Sequence, residues 1–272
     1  MKKTFLLIIV TLTLVGAACD RRGVSQEKAV PALSARRFPT TTPVTSTSNV
    51  QWQLTENGWK PMGIAPDCPV PFSLSSPTDM ATVTSILYPG QTRGGNYKPH
   101  GGFRFDTITN NRVTVTSPVD GQIVRGAQYL VNGEIQYTWD MIHLCGMMVR
   151  LGHLRELTPK FQAIVANFPA AQENDSRTNT INLQVAVTAG ETIATKVGIT
   201  AEQNTFFDLG VYDLRQKNRA SEDPAYAAAH GEELDQHALC WLTMLPPADA
   251  ERVLMLPAGD PSSGTLSDYC GS

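Results

Sequence analysis

The sequence predicts a mostly β fold, an antiparallel sheet or sandwich carrying a small, partly helical C-terminal appendage. Three observations predict it. Short apolar–polar alternating runs recur from Tyr88 to Leu214, turn signals separate them, and the texture changes to Ala-rich and Pro-punctuated after Leu214. The 42 % hydrophobic content is enough for a sizeable core.

In chain order, Arg112–Ser117 alternates, and Ser117-Pro-Val-Asp120-Gly121 closes it with an Asp-Gly turn signal. Gln122-Ile-Val-Arg125 reads as the return strand. Glu134–Asp140 and Met147–Leu151 are further strands. Asn182–Val187 runs into a turn at Thr188–Glu191, then Thr192–Thr195, and Phe206–Asp213 alternates again. One helix is expected over Pro159–Phe168, with Pro159 in its first turn. Pro224–His230 and Ala248–Met255 are short helices of the appendage, and residues 51–87, with Trp52 and Trp59, form a lead-in.

The N-terminus has the pattern of an export signal over residues 1–18. Lys2 and Lys3 precede an apolar run from Phe5 to Val15 that is too short to span a bilayer, and Gly16-Ala-Ala18 precedes Cys19. Small residues ending at a Cys resemble the bacterial lipobox, although Gly16 stands where an aliphatic residue is usual. The resemblance implies cleavage before Cys19 and its acylation. Residues 19–50, rich in Ser, Thr and Pro without apolar periodicity, form a flexible tether. The expected location is the bacterial cell envelope, as a lipid-anchored protein facing the periplasm or the exterior.

Of five cysteines, acylation of Cys19 leaves Cys68, Cys145, Cys240 and Cys270, an even set that suggests two disulfides in an oxidising compartment. Cys240–Cys270 is favoured because both lie near the C-terminus, which leaves Cys68–Cys145. With 22 basic and 25 acidic residues the net charge is −3 and no basic patch stands out, so nucleic acid is not an expected partner.

His100-Gly-Gly102-Phe103-Arg104, Ser117-Pro-Val-Asp-Gly121, Leu151-Gly-His153-Leu154, Ala189-Gly-Glu-Thr-Ile193-Ala-Thr-Lys-Val-Gly198 and Asp208-Leu-Gly210-Val-Tyr212 occur in that order. Together they resemble the lysostaphin-type (LytM-like) zinc endopeptidases, which cut peptidoglycan cross-links and have the duplicated-hybrid-motif fold. The resemblance covers about residues 88–214. It places a zinc ligand at His100 and a catalytic imidazole at His153.

The departures fall on the metal. Arg104 stands where a ligand Asp belongs, Gly210 where a ligand His belongs, and Asp208 where a catalytic His belongs. A guanidinium is a permanent cation and repels a dication; catalytic zinc ordinarily takes three protein ligands.

Two arrangements of these residues are open. If the strand is regular, His100, Arg104 and Asp106 share a face, so His100, Asp106 and Asp208 could bind a metal with His153 as base. Alternatively, Arg104 pairs with Asp106 or Asp208. His143 and Met147-Met148 read as structural, Tyr137 and Trp139 as packing or a sugar groove, and His230 and His237 as solvent-facing.

The functional expectation is a non-catalytic module that binds peptidoglycan or an envelope protein. Its groove would hold His100, Arg104, Arg150 and Asp208, the two arginines recognising carboxylates. It needs no cofactor, and zinc-free relatives in the family that activate amidases give the analogy. The alternative is an active zinc endopeptidase with rearranged ligands. A third possibility is a purely structural β domain.

Overall fold

A seven-stranded antiparallel sheet organises the chain. The computed structural model describes residues 50–271. The expected signal peptide, the expected lipidation site at Cys19 and nearly all of the expected tether lie outside the described residues. Thirteen strands and three α-helices are found among the described residues. The strands are β1 (Gln51–Thr55), β2 (Gly58–Met62), β3 (Ser85–Leu87), β4 (Gln91–Arg93), β5 (Asn96–Lys98), β6 (Gly101–Arg104), β7 (Val115–Thr116), β8 (Gly121–Val131), β9 (Glu134–Ile142), β10 (Met147–Leu154), β11 (Asn179–Val187), β12 (Thr192–Ala194) and β13 (Phe206–Asp213). The helices are α1 (Pro159–Val165), α2 (Pro224–Ala229) and α3 (Pro247–Met255). The main sheet has the order β11-β8-β9-β10-β13-β6-β3, and β1-β2, β4-β5 and β7-β12 form two-stranded ribbons. No described helix is long and apolar enough to cross a membrane.

The period-two pattern sorts the sheet into two faces. Phe103, Trp139, Met141, Met147, Val149, Leu151, Phe207, Leu209 and Val211 point to one side and build the main core. Against them pack Phe161 and Val165 of α1, Val115 and Ile193 of the β7-β12 ribbon, and Trp241, Leu242, Leu245 and Val253 from near the C-terminus. Trp139 is therefore fully buried packing. On the opposite face Ile142, Met148 and Tyr212 meet Val50, Trp52 and Trp59 of the β1-β2 hairpin, together with Leu234 and Ala238.

The partly helical C-terminal segment packs onto the sheet through Trp241, Leu242, Leu245 and Val253. The described residues, 50–271, lie within one compact unit. Trp241 is fully buried, and the edge strand β3 is covered where Ile86 N donates to Pro257 O and Gly259 N to Ile86 O. Disulfides join Cys68 to Cys145 and Cys240 to Cys270. The first ties the loop after β2 to the β9-β10 turn, and the second ties the last residues to the core segment at Trp241.

Regular pairing in the Arg112–Ser117 stretch is confined to Val115–Thr116, and the helix expected to reach Phe168 ends at Val165. In the opposite direction, β8 is much longer than its four-residue alternating signature. It turns through Asn132 (φ 53°) and Gly133 (φ 76°) into β9. Two consecutive positive φ values are what a tight two-residue hairpin needs, and Asn-Gly supplies them at little steric cost.

Candidate functional site

His100, His153 and Asp208 converge at the end of the second face, where β6, β13 and β10 lie side by side. Register brings them together: Asp208 pairs with Gly102 on one side and Gly152 on the other. Both neighbours lack side chains, which opens space around the carboxylate. The spacing is tight at Gly102, where an added Cβ would lie 2.5 Å from Phe207 O. His100 Nε2 is 3.2 Å and His153 Nε2 is 3.3 Å from the same Asp208 Oδ2. Side-chain exposures of 18 %, 23 % and 14 % for His100, His153 and Asp208 leave the cluster reachable from solvent.

His153 reaches this position through a backbone irregularity. Between Leu151 and Leu154 the pairing of β10 with β9 shifts, with one residue more on β10 than on its partner. His153 itself takes φ 58°. Such a bulge re-aims a side chain, and a non-glycine residue at positive φ costs on the order of 1 kcal/mol that the surrounding structure must offset. The offset is visible: His153 N donates to Tyr129 Oη (3.3 Å), Gly198 N donates to His153 O (2.8 Å), and the ring packs on Phe206 at 4.5 Å.

The protonation pattern is constrained. Gln136, fully buried, donates through Nε2 to Gly198 O at 3.1 Å. This orients its amide so that Oε1 accepts from His153 Nδ1 at 2.5 Å. With the Nδ1 proton committed, Nε2 of a neutral His153 would aim a lone pair at the Asp208 carboxylate. A protonated His153 would instead donate from Nε2 to that carboxylate, 3.3 Å away. Burial pushes the His153 pKa below its ordinary value, while Asp208 pulls it back up. For Asp208, burial alone would raise the pKa, but His100, His153 and Arg93 outweigh it and hold the carboxyl well below the usual range. Arg93 itself is fixed by donating to Tyr88 O and to His100 O.

Arg104 and Asp106 stand apart from this cluster. Arg104 Nη2 lies 3.1 Å from Asp106 Oδ1, and Thr84 Oγ1 donates to Asp106 Oδ2 at 2.7 Å. Asp106 lies in the turn two residues past the end of β6, where it is held by Arg104 and Thr84 and has no contact with Asp208. The expected set of His100, Asp106 and Asp208 is thus not assembled, because β6 ends at Arg104 and the turn beyond it gives the Asp106 carboxylate to Arg104, Thr84 and Ser85. No group of three or more described His, Cys, Asp or Glu side chains is arranged to hold a metal ion.

Arg150 is not available for recognising a ligand carboxylate. It is committed to Asp140, donating from Nε to Oδ1 (2.7 Å) and from Nη2 to Oδ2 (2.8 Å). Gly210, its partner across β13, lies beneath Tyr212: an added Cβ would meet the Tyr212 hydroxyl and, at 2.7 Å, its ring carbons. The position where the resemblance places a ligand His is filled by an aromatic ring two residues further on. Gly210→Ala is expected to destabilise the fold by about 1–3 kcal/mol through overpacking, read as a lower urea midpoint with an unchanged m value.

The sequence pattern carries no functional signal for Gln136, Tyr129 and Arg93, which surround the histidines. His230 is not simply solvent-facing, since its ring stacks on Tyr97 at 3.7 Å. His237 Nδ1 lies 2.8 Å from Asp213 O and 2.7 Å from Gln216 O. His143 lies against the first disulfide, with Nδ1 3.1 Å from Cys145 Sγ. Cavities of about 540 Å³ beside α1 and β11 and about 370 Å³ under the β1-β2 hairpin do not touch the histidines.

Compared with protein-family models, curated proteins and solved structures, the chain has no significant match to any of them. The fold is mostly antiparallel β with a small helical part.

Proposed function

We propose that this chain is a lipid-anchored cell-envelope protein whose LytM-like β domain binds peptidoglycan or an envelope protein without cleaving it. The observation that carries the reading is the closure of two of the three ligand positions that the resemblance requires. Position 104 is an arginine paired with Asp106, and position 210 is a glycine covered by the Tyr212 ring. His100 alone remains of that ligand set. The surviving cluster binds by exchange of hydrogen bonds and protons: two imidazoles and a carboxylate, largely shielded from water, present donors and an acceptor to a polar ligand.

A second reading, an active zinc endopeptidase with rearranged ligands, has one observation in its favour. His100 Nε2, His153 Nε2 and Asp208 Oδ2 do converge, and Arg104 does not stand between them. In that reading His100 and Asp208 would hold zinc with His153 as base, and the metal would supply a water of lowered pKa.

One experiment separates the readings. The full-length chain, purified in detergent, is mixed with insoluble peptidoglycan sacculi at low salt and sedimented. Zinc content and released peptides are measured in parallel. Retention on the sacculi, with little zinc and no peptide release, is expected. Near-stoichiometric zinc with peptide release replaces the first reading by the second, and no retention points to a purely structural domain or to a protein partner alone.

A further inference from the structure

The two most exposed large apolar side chains among the described residues belong to one loop, that between β2 and the main sheet. Ile64 is 93 % exposed and Val70 96 %, and Met62, at the loop's entry, is 53 % exposed. Apolar residues scattered singly over a surface are ordinary; a group held together in water marks a contact surface. This group is held. Met62 pairs with Gln51 across the β1-β2 hairpin, Cys68 is bonded to Cys145, and Phe72 packs edge-on against His143 at 5.4 Å. Ile64 is four residues before the disulfide and Val70 two after it. At ~3.6 Å per residue their Cα atoms stay within roughly 14 Å and 7 Å of Cys68.

The point where the chain enters the body says what covers the loop. Val50 is the first described residue, and a Cβ on Gly63 would lie 3.8 Å from Val50 Cγ2. The segment that follows Cys19 therefore joins the body at the base of this loop. A flexible linker of about thirty residues has an r.m.s. span of roughly 30 Å. An anchor at Cys19 keeps the loop within that reach of the bilayer, so even weak insertion is favoured by effective concentration. Cations lie alongside. Lys60 and Lys217, both exposed, line one depression of about 470 Å³ with Arg215. Arg215 borders the turn that holds the disulfide: a Cβ on Gly146 would lie 3.0 Å from its Cγ. Arg215 is engaged by Asp213, which leaves the lysines to offset Asp67, the loop's one acid, and to meet anionic headgroups.

We infer that the loop from Met62 to Val70 is a second membrane contact, in which Ile64 and Val70 enter the surface of the bilayer that holds the lipid anchor. A single acyl signal binds reversibly, and a second apolar contact makes attachment stable. The contact also orients the domain. Asp213 pairs with Met147 next to the disulfide turn, and Asp208 pairs with Gly152, five strand positions further on, or ~17 Å at ~3.3 Å per residue. Seating the loop on the lipid thus holds the His100, His153 and Asp208 cluster off the membrane. The inference goes beyond the binding reading and rests on it only for the anchor at Cys19.

The test places one added tryptophan in the full-length chain, in the variants Ile64→Trp, Val70→Trp and Ile135→Trp. Ile135 is 46 % exposed and lies at the other end of β9 from the Cys145 turn. Trp52, Trp59, Trp139 and Trp241 are buried and give a constant background. Each protein is reconstituted in vesicles of phosphatidylethanolamine and phosphatidylglycerol, with plain or with brominated acyl chains, which quench tryptophan on contact. The emission added at positions 64 and 70 is expected to fall at least about twofold more than that at 135, as for side chains seated about 5–10 Å into the interface. Quenching at 64 or 70 that does not exceed quenching at 135 overturns the inference. Should one loop variant fail to fold, the other decides. Vesicle flotation keeps the two proposals distinguishable. A chain that does not float overturns the anchor and this contact with it; a chain that floats with the loop unquenched overturns the contact alone.

Discussion

Asp140→Ala is expected to cost about 3–5 kcal/mol of folding stability, the largest effect of any single side-chain truncation considered in this protein. Asp140 is fully buried and is the shared acceptor for two guanidiniums, Arg150 at 2.7 Å and Arg125 at 2.9 Å. Removing the carboxylate leaves both cations in a row across β8, β9 and β10 with a single acid, Glu233, at 3.3 Å from Arg125. The loss comes mainly from stranded charge. Replacing Asp140 and Arg150 together by apolar residues of similar volume should therefore cost much less than the single change.

Urea unfolding of the two variants checks this, and pH adds a second readout. Burial alone would raise the Asp140 pKa, but the two arginines outweigh it and hold it below the ordinary carboxylate value. A carboxyl depressed in the folded state contributes stability that is fully present above the unfolded pKa of about 3.9, and loses it as the pH falls through the folded value. Wild-type stability should fall across that acid range more steeply than that of Asp140→Ala. Equal slopes would mean that Asp140 is not the group being titrated.

The second large effect is expected from the disulfide between Cys68 and Cys145, which spans a sequence separation of 77. In the chain-entropy account, a closed loop of this length lowers the entropy of the unfolded chain by an amount worth about 4.5 kcal/mol at 25 °C. Cys68→Ala with Cys145→Ala should approach that loss. Removing Cys240–Cys270, at a separation of 30, should cost about 0.8 kcal/mol less on the same account. Cys145 is fully buried in the main core, so its replacement also leaves a small void and reinforces the ranking. Thermal or urea midpoints of the two double variants decide the order, and the reverse order would show that strain or residual unfolded-state structure outweighs loop length.

Alternation made most of the sheet legible. Phe206–Asp213 shows Phe207, Leu209 and Val211 on one side, as a half-buried strand must. Tertiary placement was hidden. Trp241 lies in no periodic run, so its burial under β6 follows only from the chain's return. Gly210 read as a missing ligand, but no sequence period says that Tyr212 lies over it. Asn132-Gly133 was a usable hairpin signal, and it fixes the register that puts Gln136 behind His153. The convergence of His100, His153 and Asp208 was legible only as an ordering of motifs. The bulge that turns His153 inward depends on one extra residue in β10, which alternation cannot register among Leu151, Gly152 and Leu154.

Because Trp241, Leu242, Leu245 and Val253 fill the core and a disulfide joins Cys240 to Cys270, a nascent chain cannot complete its interior until the segment from Cys240 to Cys270 has been delivered. Synthesis or transport arrested soon after Leu242 would yield a sheet lacking the cover of Leu245 and Val253 and a lone thiol at position 240, a species marked for proteolysis rather than a shortened but serviceable version.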